Sequence, residues 1–286
     1  MKNKILPLSI LAAFVVLSFS LQGQSLAKKY MLFEHFTQAS CGPCASQNPA
    51  FNSLRQQNLD VVHHIAYHTS WPGVDPMYSI NSSENGAMTG FYGVNAVPRI
   101  FGDGQVIGSP VDVTQQMIDD VTSGWSPIRI KVRVTDAGGD DRNVTVTVFT
   151  HGVVFGSNMR LKTAVVEKDI IYASAPGSNG ETEFPNVFRD MLPHVGGSSY
   201  EPAAMGDSVV FELDFTMKPE YVQEEIYVLA YVIDVPTKEV INSGSSLDPD
   251  PVMNGIEDAS QNLTNSLGQN FPNPADASTT IMSVSY

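Results

Sequence analysis

Apolar and polar positions alternate differently in successive parts of this chain. Residues 30–37 (YMLFEHFT) and 61–68 (VVHHIAYH) are short runs rich in aromatic and aliphatic residues, and each reads as a buried strand. Between them, residues 45–57 read as a helix that brings Ala50, Phe51 and Leu54 to core spacing. A long polar excursion containing Gly and Pro runs from Thr69 to Asn95. It is followed by AVPRIF, a turn at Gly102-Asp103-Gly104, QVIG, and a helix over about residues 111–122. The predicted order is β-α-β, a long insertion, then β-β-α.

Past Gly124-Trp125-Ser126-Pro127 the period becomes two. Ile128, Ile130, Val132 and Val134 alternate with polar residues, DAGGDDRN turns the chain, and Val144, Val146 and Val148 answer with the same alternation, as in a hairpin with one face buried. VVFELDFTM and EIYVLAYVID continue without intervening helices, which predicts an antiparallel β-sandwich. EFPNVFRDMLPHVGG (residues 183–197) reads as an ordered loop of that sandwich, since nothing pairs its Arg189, Asp190 and His194 into a triad. The expected fold is therefore an α/β domain over residues 28–124, then an all-β antiparallel sandwich over 125–246. A Pro-, Asp-, Asn- and Ser-rich linker is expected over 247–262.

The first 27 residues change the picture of where the chain works. Lys2 and Lys4 precede an apolar core over residues 5–17, and small and polar residues follow, as in a secretory signal peptide; the run is too short for a transmembrane helix. The mature chain is expected to be exported and to have no transmembrane segment. A net charge of −14 argues against nucleic acid and anionic membrane partners, because like charges repel.

Both cysteines fall in FTQASCGPCASQNPAF, two residues apart, at the junction of the first strand and helix. In an oxidising compartment such a pair persists as a disulfide. Three readings are open: a redox pair, half of a metal site, or a structural staple. As a staple it is poor, because the stabilisation from a cross-link grows with the length of the loop it closes. His35, His63, His64 and His68 have the ligand type for zinc or copper, but HHIAYH lacks the paired spacing of a structural site, so no metal is expected. A helix N-terminus favours thiolate, and Pro43 suits the first turn because it sacrifices no hydrogen bond. Cys41 is then the expected exposed nucleophile, and Cys44, one turn on and more buried, the resolving thiol. The segment HTSWPGVDPMY, with Trp71, Asp75, Met77 and Tyr78, is a candidate substrate lid or recognition loop; its competing reading is a loop whose aromatics merely pack. Asn81-Ser82-Ser83 and Asn143-Val144-Thr145 match the glycosylation pattern and are taken as chance.

CGPC after an apolar strand resembles the thioredoxin active site, Gly-Pro dipeptide included. Pro49, five residues after Cys44, stands where that family carries a helix-kinking proline, and Val97-Pro98 stands where it carries the cis-proline facing the disulfide. The resemblance implies thiol-disulfide exchange on protein or peptide thiols, with Pro98 and its neighbour Val97 docking the substrate strand and no organic cofactor. Ser40 replaces the family's tryptophan before the first cysteine, and His35, with Glu34 beside it, replaces its buried aspartate; either is a candidate for proton transfer. The whole arrangement also resembles the Omp28-related outer-membrane proteins of Bacteroidetes. LGQNFPNPADASTTI resembles the start of the type A sorting domain of the type IX secretion system, which makes residues 263–286 a partial sorting domain. These resemblances imply a location in the periplasm, on the outer-membrane surface or outside the cell. The rival function is a non-catalytic surface binding or adhesion module, in which the sandwich meets cell-surface partners and the thioredoxin-like part is a vestigial scaffold.

Overall fold

A computed structural model describes residues 26–249, so the leader-like segment up to residue 25 and most of the expected linker and sorting domain lie outside the described residues. In chain order the elements are β1 (Ala27–Lys28), β2 (Met31–Thr37), α1 (Gly42–Gln56), β3 (Val62–His68), α2 (Pro76–Ile80), α3 (Ser82–Tyr92), β4 (Arg99–Gly102), β5 (Gln105–Gly108) and α4 (Gln115–Thr122). They continue with β6 (Trp125–Ser126), β7 (Ile128–Gly138), β8 (Asp141–Thr150), β9 (Met159–Ile171), β10 (Glu183–Leu192), β11 (Ser198–Ser199), β12 (Ser208–Thr216), β13 (Ile226–Asp234) and β14 (Glu239–Ser245). The protein is mostly sheet, with few helices.

One nine-stranded mixed sheet organises the molecule, in the order β14-β13-β9-β10-β3-β2-β4-β5 with β11 beside β9. β2 and β3 pair in parallel through seven residues, from Met31 with Val62 to Thr37 with His68, and α1 connects them. Helices cover both faces of β2, which is why its sequence is nearly continuous in apolar residues rather than alternating. Met31 and Phe33 pack with Phe51 of α1 and Ile118 of α4, while Leu32 and Phe36 pack with Met88 and Tyr92 of α3 on the other face.

The sheet crosses the expected boundary near residue 125. β10 lies parallel beside β3, with Val187 opposite Ala66, and β9, β13 and β14 extend the sheet from there. β13 shows why: Tyr227, Leu229, Tyr231 and Ile233 join the core that contains Leu32 and Phe36, while Val228, Ala230 and Val232 face the other way. A strand buried on both faces belongs inside a sheet with two covered sides. Its second face carries the separate three-stranded sheet β12-β8-β7, whose Ile128, Ile130, Val132, Val144, Val146 and Val148 complete that core. The period-two strands β7 and β8 thus lie in a three-stranded antiparallel sheet packed on the nine-stranded mixed sheet, whose strands run into the α/β part. Asp103, in the β4–β5 turn, accepts from Val240 N (3.1 Å) and pairs with Lys29 (2.9 Å), which joins the two ends of the curled sheet. Gly104 permits that approach: its φ is +79°, and a Cβ there would sit 1.6 Å from the Lys238 carbonyl oxygen.

Residues 183–197 contain β10, a central strand, and not a loop; its Arg189 is tolerated in the core because Glu167 of β9 meets it, Nη2 to Oε2 at 2.6 Å. The excursion after Thr69 contains α2 and α3. α3 starts at Asn81, whose side chain accepts from Glu84 N, and ends at Gly93 in the left-handed conformation, so cap chemistry at both ends outweighs its internal glycines. Asn81 is thus a structural cap, with its amide donating to Glu84 and to the Arg189 carbonyl. Ala27, at the end of the expected leader, is buried in β1 opposite Ser126, and Ala50, expected in the core, is exposed.

Candidate redox-active site

The cysteines sit where β2 hands over to α1. Cys41 is the N-cap of α1, with extended backbone, and Cys44 lies in the first turn after Pro43. The two form a disulfide. Cys41 Sγ also accepts the Cys44 N–H at 3.1 Å, so one of the free amides of the helix N-terminus points at the sulfur. Val97 O lies 3.6 Å from the same sulfur, and the Val97–Pro98 bond is cis. The structure therefore brings together Cys41, Cys44, Val97 and Pro98.

Cys41 itself is covered. It was expected to be the exposed member of the pair, yet it is 2% exposed, against 0% for Cys44. Gly42 and Pro43 face solvent, but two loops close over the turn before them. From residues 69–75, Gly73 O accepts from Gln38 Nε2 (2.7 Å) and Val74 O accepts from Ser40 Oγ (2.9 Å). From the β9–β10 loop, Asn179 donates through Nδ2 to the carbonyls of Gln38 and Cys41 (3.2 Å each), and its N–H reaches Ala39 O (3.2 Å). Ser178 N donates to Ser40 Oγ at 3.1 Å. The Ser40 hydroxyl thus holds both loops at once, donating to one and accepting from the other. Gly177 is required at the contact, since a Cβ would come 2.2 Å from Ala39 O.

Asp75, read from the sequence as part of the lid or recognition segment, anchors that segment. Its Oδ2 accepts from Ala39 N (2.7 Å) and from His68 Nδ1 (2.7 Å), while Oδ1 accepts from Tyr78 N and caps α2. Burial pushes its carboxyl upward, but His68 and the N–H donors of Tyr78 and Ala39 outweigh that and hold it below its usual value. Asp75 pins the 69–75 loop to the cysteine turn. The aspartate was visible in HTSWPGVDPMY, with Pro76 at a helix start as its signal. The loop touches the turn through Gly73, Val74 and Asp75, while Trp71 and Tyr78 flank this contact.

Glu34 and His35, expected side by side as proton donors, point to opposite faces of β2. Glu34 is fully buried on the α3 face, where it accepts from Tyr231 (3.0 Å), Tyr67 (3.4 Å) and Tyr92. Burial raises its carboxyl, offset by those hydroxyls and by Lys162. This group belongs to the core that joins β2, β3, α3 and β13, on the side of the sheet away from α1. His35 lies on the α1 face, edge-on to Phe51 and stacked near His64 with ring centroids 5.7 Å apart.

Burial lowers the His35 imidazole to about 3, with the neighbouring His68 adding to the effect, and lowers His64 well below its usual value. An unfolded histidine protonates near 6.5, so between that pH and the folded value the unfolded chain binds more protons, and stability falls as pH falls. Each such imidazole contributes a slope of about 1.4 kcal/mol per pH unit below pH 6.5. Urea unfolding of His35→Gln between pH 7 and about pH 5 is expected to show a shallower acid loss than the parent by roughly that slope. Parallel curves would contradict a neutral, buried His35.

No family model matches the chain, and no curated protein matches it. Among solved structures the chain is similar to HBP35 of Porphyromonas gingivalis, with a TM-score of 0.64 and 17% identity over 90% of this chain and 85% of that one. That is a likeness of fold. A structural-genomics target from Agrobacterium tumefaciens scores 0.49 at 12% identity, covering 79% of this chain and 97% of its own. A domain of the outer membrane lipoprotein Omp28 from Porphyromonas gingivalis scores 0.32 at 17% identity, covering 44% of this chain and 91% of its own. Neither of these two adds to the fold.

Proposed function

We propose that this chain is an exported, thioredoxin-like, Omp28-related protein that exchanges disulfides with protein or peptide thiols through Cys41 and Cys44. The observation that carries the reading is Cys41 at the N-cap of α1, its sulfur receiving the Cys44 N–H and facing the Val97 carbonyl. A thiolate at Cys41 would meet the same donor and the helix dipole, which is how a thiol is made reactive at neutral pH. A substrate thiolate attacks Cys41 Sγ, the Cys41–Cys44 bond breaks, and Cys44 leaves with the electron pair. A second substrate thiolate then attacks the substrate sulfur of the mixed disulfide and releases Cys41, so the substrate is oxidised as the pair is reduced. The reverse sequence oxidises the pair. Val97 and Pro98 would border the docked substrate strand, with Trp71 and Tyr78 beside it. The leader-like start and the sorting-domain-like tail support a location outside the cytoplasm.

The 2% exposure of Cys41 favours a second reading, a surface module whose disulfide is a relic inside the scaffold. A redox titration separates the two. The chain from Gln24 onward is equilibrated in graded glutathione buffers, free thiols are trapped by alkylation, and mass shifts are read. A midpoint between about −270 and −120 mV, with Cys41 alkylating before Cys44, is the expected result. A pair that stays oxidised at the most reducing glutathione poise would overturn exchange in favour of the module.

A further inference from the structure

An open pocket of about 730 Å³ lies at the far end of β2 from the cysteines. β2 runs from Met31 to Thr37; Cys41 lies beyond its last residue, and Lys29 and Trp125, the latter paired with Lys28 across β1 and β6, lie at its start. About 20 Å of strand therefore separates the two places. The pocket forms where the two ends of the curled sheet meet. Gln105 of β5 and Asp103 of the β4–β5 turn contribute from one end of the sheet, and Glu239 and Val240 of β14 from the other. Trp125, Val153 and Phe155 supply apolar lining. The volume is that of a small-molecule site, and such sites favour the junction of structural units.

The apolar lining is left to water. Trp125 is 67% exposed, Val153 66% and Phe155 81%. Among the described residues, no ring packs on either aromatic and no cation lies over either. Apolar side chains exposed singly are ordinary, but three that share one concavity mark a binding site. The charge is as one-sided. A lysine ammonium has three protons to donate, and Lys29 spends them on Asp103 Oδ2 (2.9 Å), Val240 O (3.1 Å) and Ile241 O (3.2 Å). It has none left for an anion. The lysines next to lining residues are engaged elsewhere, Lys28 with Asp60 O and the Tyr30 ring, and Lys238 over the rings of Phe91 and Tyr92. The exposed carboxylate of Glu239, by contrast, meets no cation among the described residues. The uncompensated charge of the pocket is negative.

We propose that this pocket binds a small organic cation, whose aliphatic or aromatic body lies against Trp125, Val153 and Phe155 and whose ammonium or guanidinium group pairs with Glu239. The body removes the apolar lining from water, and the open aromatic faces attract a cation as well as an apolar group. The charged group gives Glu239 the charge-assisted hydrogen bond it lacks. A carboxylate or phosphate ligand would meet Glu239 and a lysine with no free proton, so the pocket selects against anions as well as for cations. Its floor is formed without a ligand, since the Lys29–Asp103 pair and the bond from Val240 N to Asp103 O (3.1 Å) hold the two sheet ends together. The pocket shares no residue with the cysteine turn, so its occupancy stands apart from exchange at Cys41.

Calorimetric titration of the oxidised chain from Gln24 onward tests this with three probes of similar shape: phenylbutylamine, phenylbutanol and phenylpentanoate. The amine is expected to bind with a dissociation constant of about 1 mM or below and about tenfold tighter than the alcohol, and the carboxylate is expected not to bind. Glu239→Gln is expected to bring the amine to the affinity of the alcohol, and Phe155→Ala to weaken the amine and the alcohol about fivefold or more. Both side chains are exposed, so both variants are expected to keep the fold, which circular dichroism checks. No amine binding up to about 10 mM, an amine no tighter than the carboxylate, or an amine affinity unchanged in Glu239→Gln overturns the proposal. So does a chain that sediments as a dimer and becomes a monomer in Phe155→Ala, since a second copy would then fill the pocket. An oligolysine peptide that binds where the amine does not would overturn it in favour of a polypeptide partner.

Discussion

Replacing Glu167 by alanine is expected to cost the fold about 3–5 kcal/mol, the range for removing one partner of a buried ion pair. Arg189 is 2% exposed, and its Nε and Nη2 both lie 2.6 Å from Glu167 Oε2. Alanine leaves a guanidinium in the core beside the Tyr221 ring, 5.4 Å from its centroid, and releases Val222 N from Glu167 Oε1. Against a typical total of about 5–15 kcal/mol, that loss brings the protein near the edge of folding. The double replacement Glu167→Leu with Arg189→Met removes both charges and is expected to recover most of it. Urea unfolding decides: a loss below about 1 kcal/mol in Glu167→Ala, or a double variant no better than the single, would show that the pair is not what seats β10. The same curves probe the shared sheet. β9 is hydrogen-bonded to β13 and β10, and β10 to β3, so the far-ultraviolet helix signal and the fluorescence of Trp71 and Trp125 are expected to change together.

That strand shows where sequence reading stopped. β2 and β3 were legible because both are apolar runs between turn residues, and β7 and β8 because one face is wet and the valines alternate. β10 carries Pro185, Arg189 and Asp190, and the residue that makes Arg189 acceptable is Glu167, in another strand. No local pattern records a neutralising partner of that kind. The joining of the two expected domains had a signal in IYVLAYVID, which has no polar face and so fits the interior of a sheet covered on both sides. Period two along β2 likewise sends Glu34 and His35, read as alternative proton carriers, to opposite faces.

The cysteine pair and its place at a helix N-terminus were legible because each is local, whereas the cis Val97–Pro98 bond was expected only from the resemblance to thioredoxins. The pocket bordered by His35, His64 and His68 was not legible, because its walls come from β2, β3, α1, the β9–β10 loop and the start of β10. Nor was the burial of Cys41, which depends on backbone amides and carbonyls of Gly73, Val74, Ser178 and Asn179, residues that read individually as ordinary loop.

Asn179→Ala is expected to speed reduction of the disulfide by about thirtyfold. Its side chain makes two hydrogen bonds to the cysteine turn, to Gln38 O and Cys41 O, and a third to Glu181. At about 1 kcal/mol for each bond to the turn, losing both favours the open loop by about 2 kcal/mol, and every 1.4 kcal/mol is a factor of ten. If attack on Cys41 Sγ requires the β9–β10 loop to lift, the gain in the open population appears in full in the rate. The main-chain bonds from Asn179 N and Ser178 N remain, so the variant is expected to keep its fold and lose little global stability. Reduction by dithiothreitol with quenched alkylation gives the rate, and urea unfolding gives the control. A rate equal to the parent's would mean that the loop does not gate the disulfide, and that attack enters past the solvent-facing Gly42 and Pro43. An accelerated rate would reconcile the two observations that pull apart here, a sulfur held for reaction by the helix N-terminus and a surface that hides it. The covering loops would then decide which thiols reach Cys41, because a partner would have to displace Asn179 from the carbonyls of Gln38 and Cys41 before exchange begins.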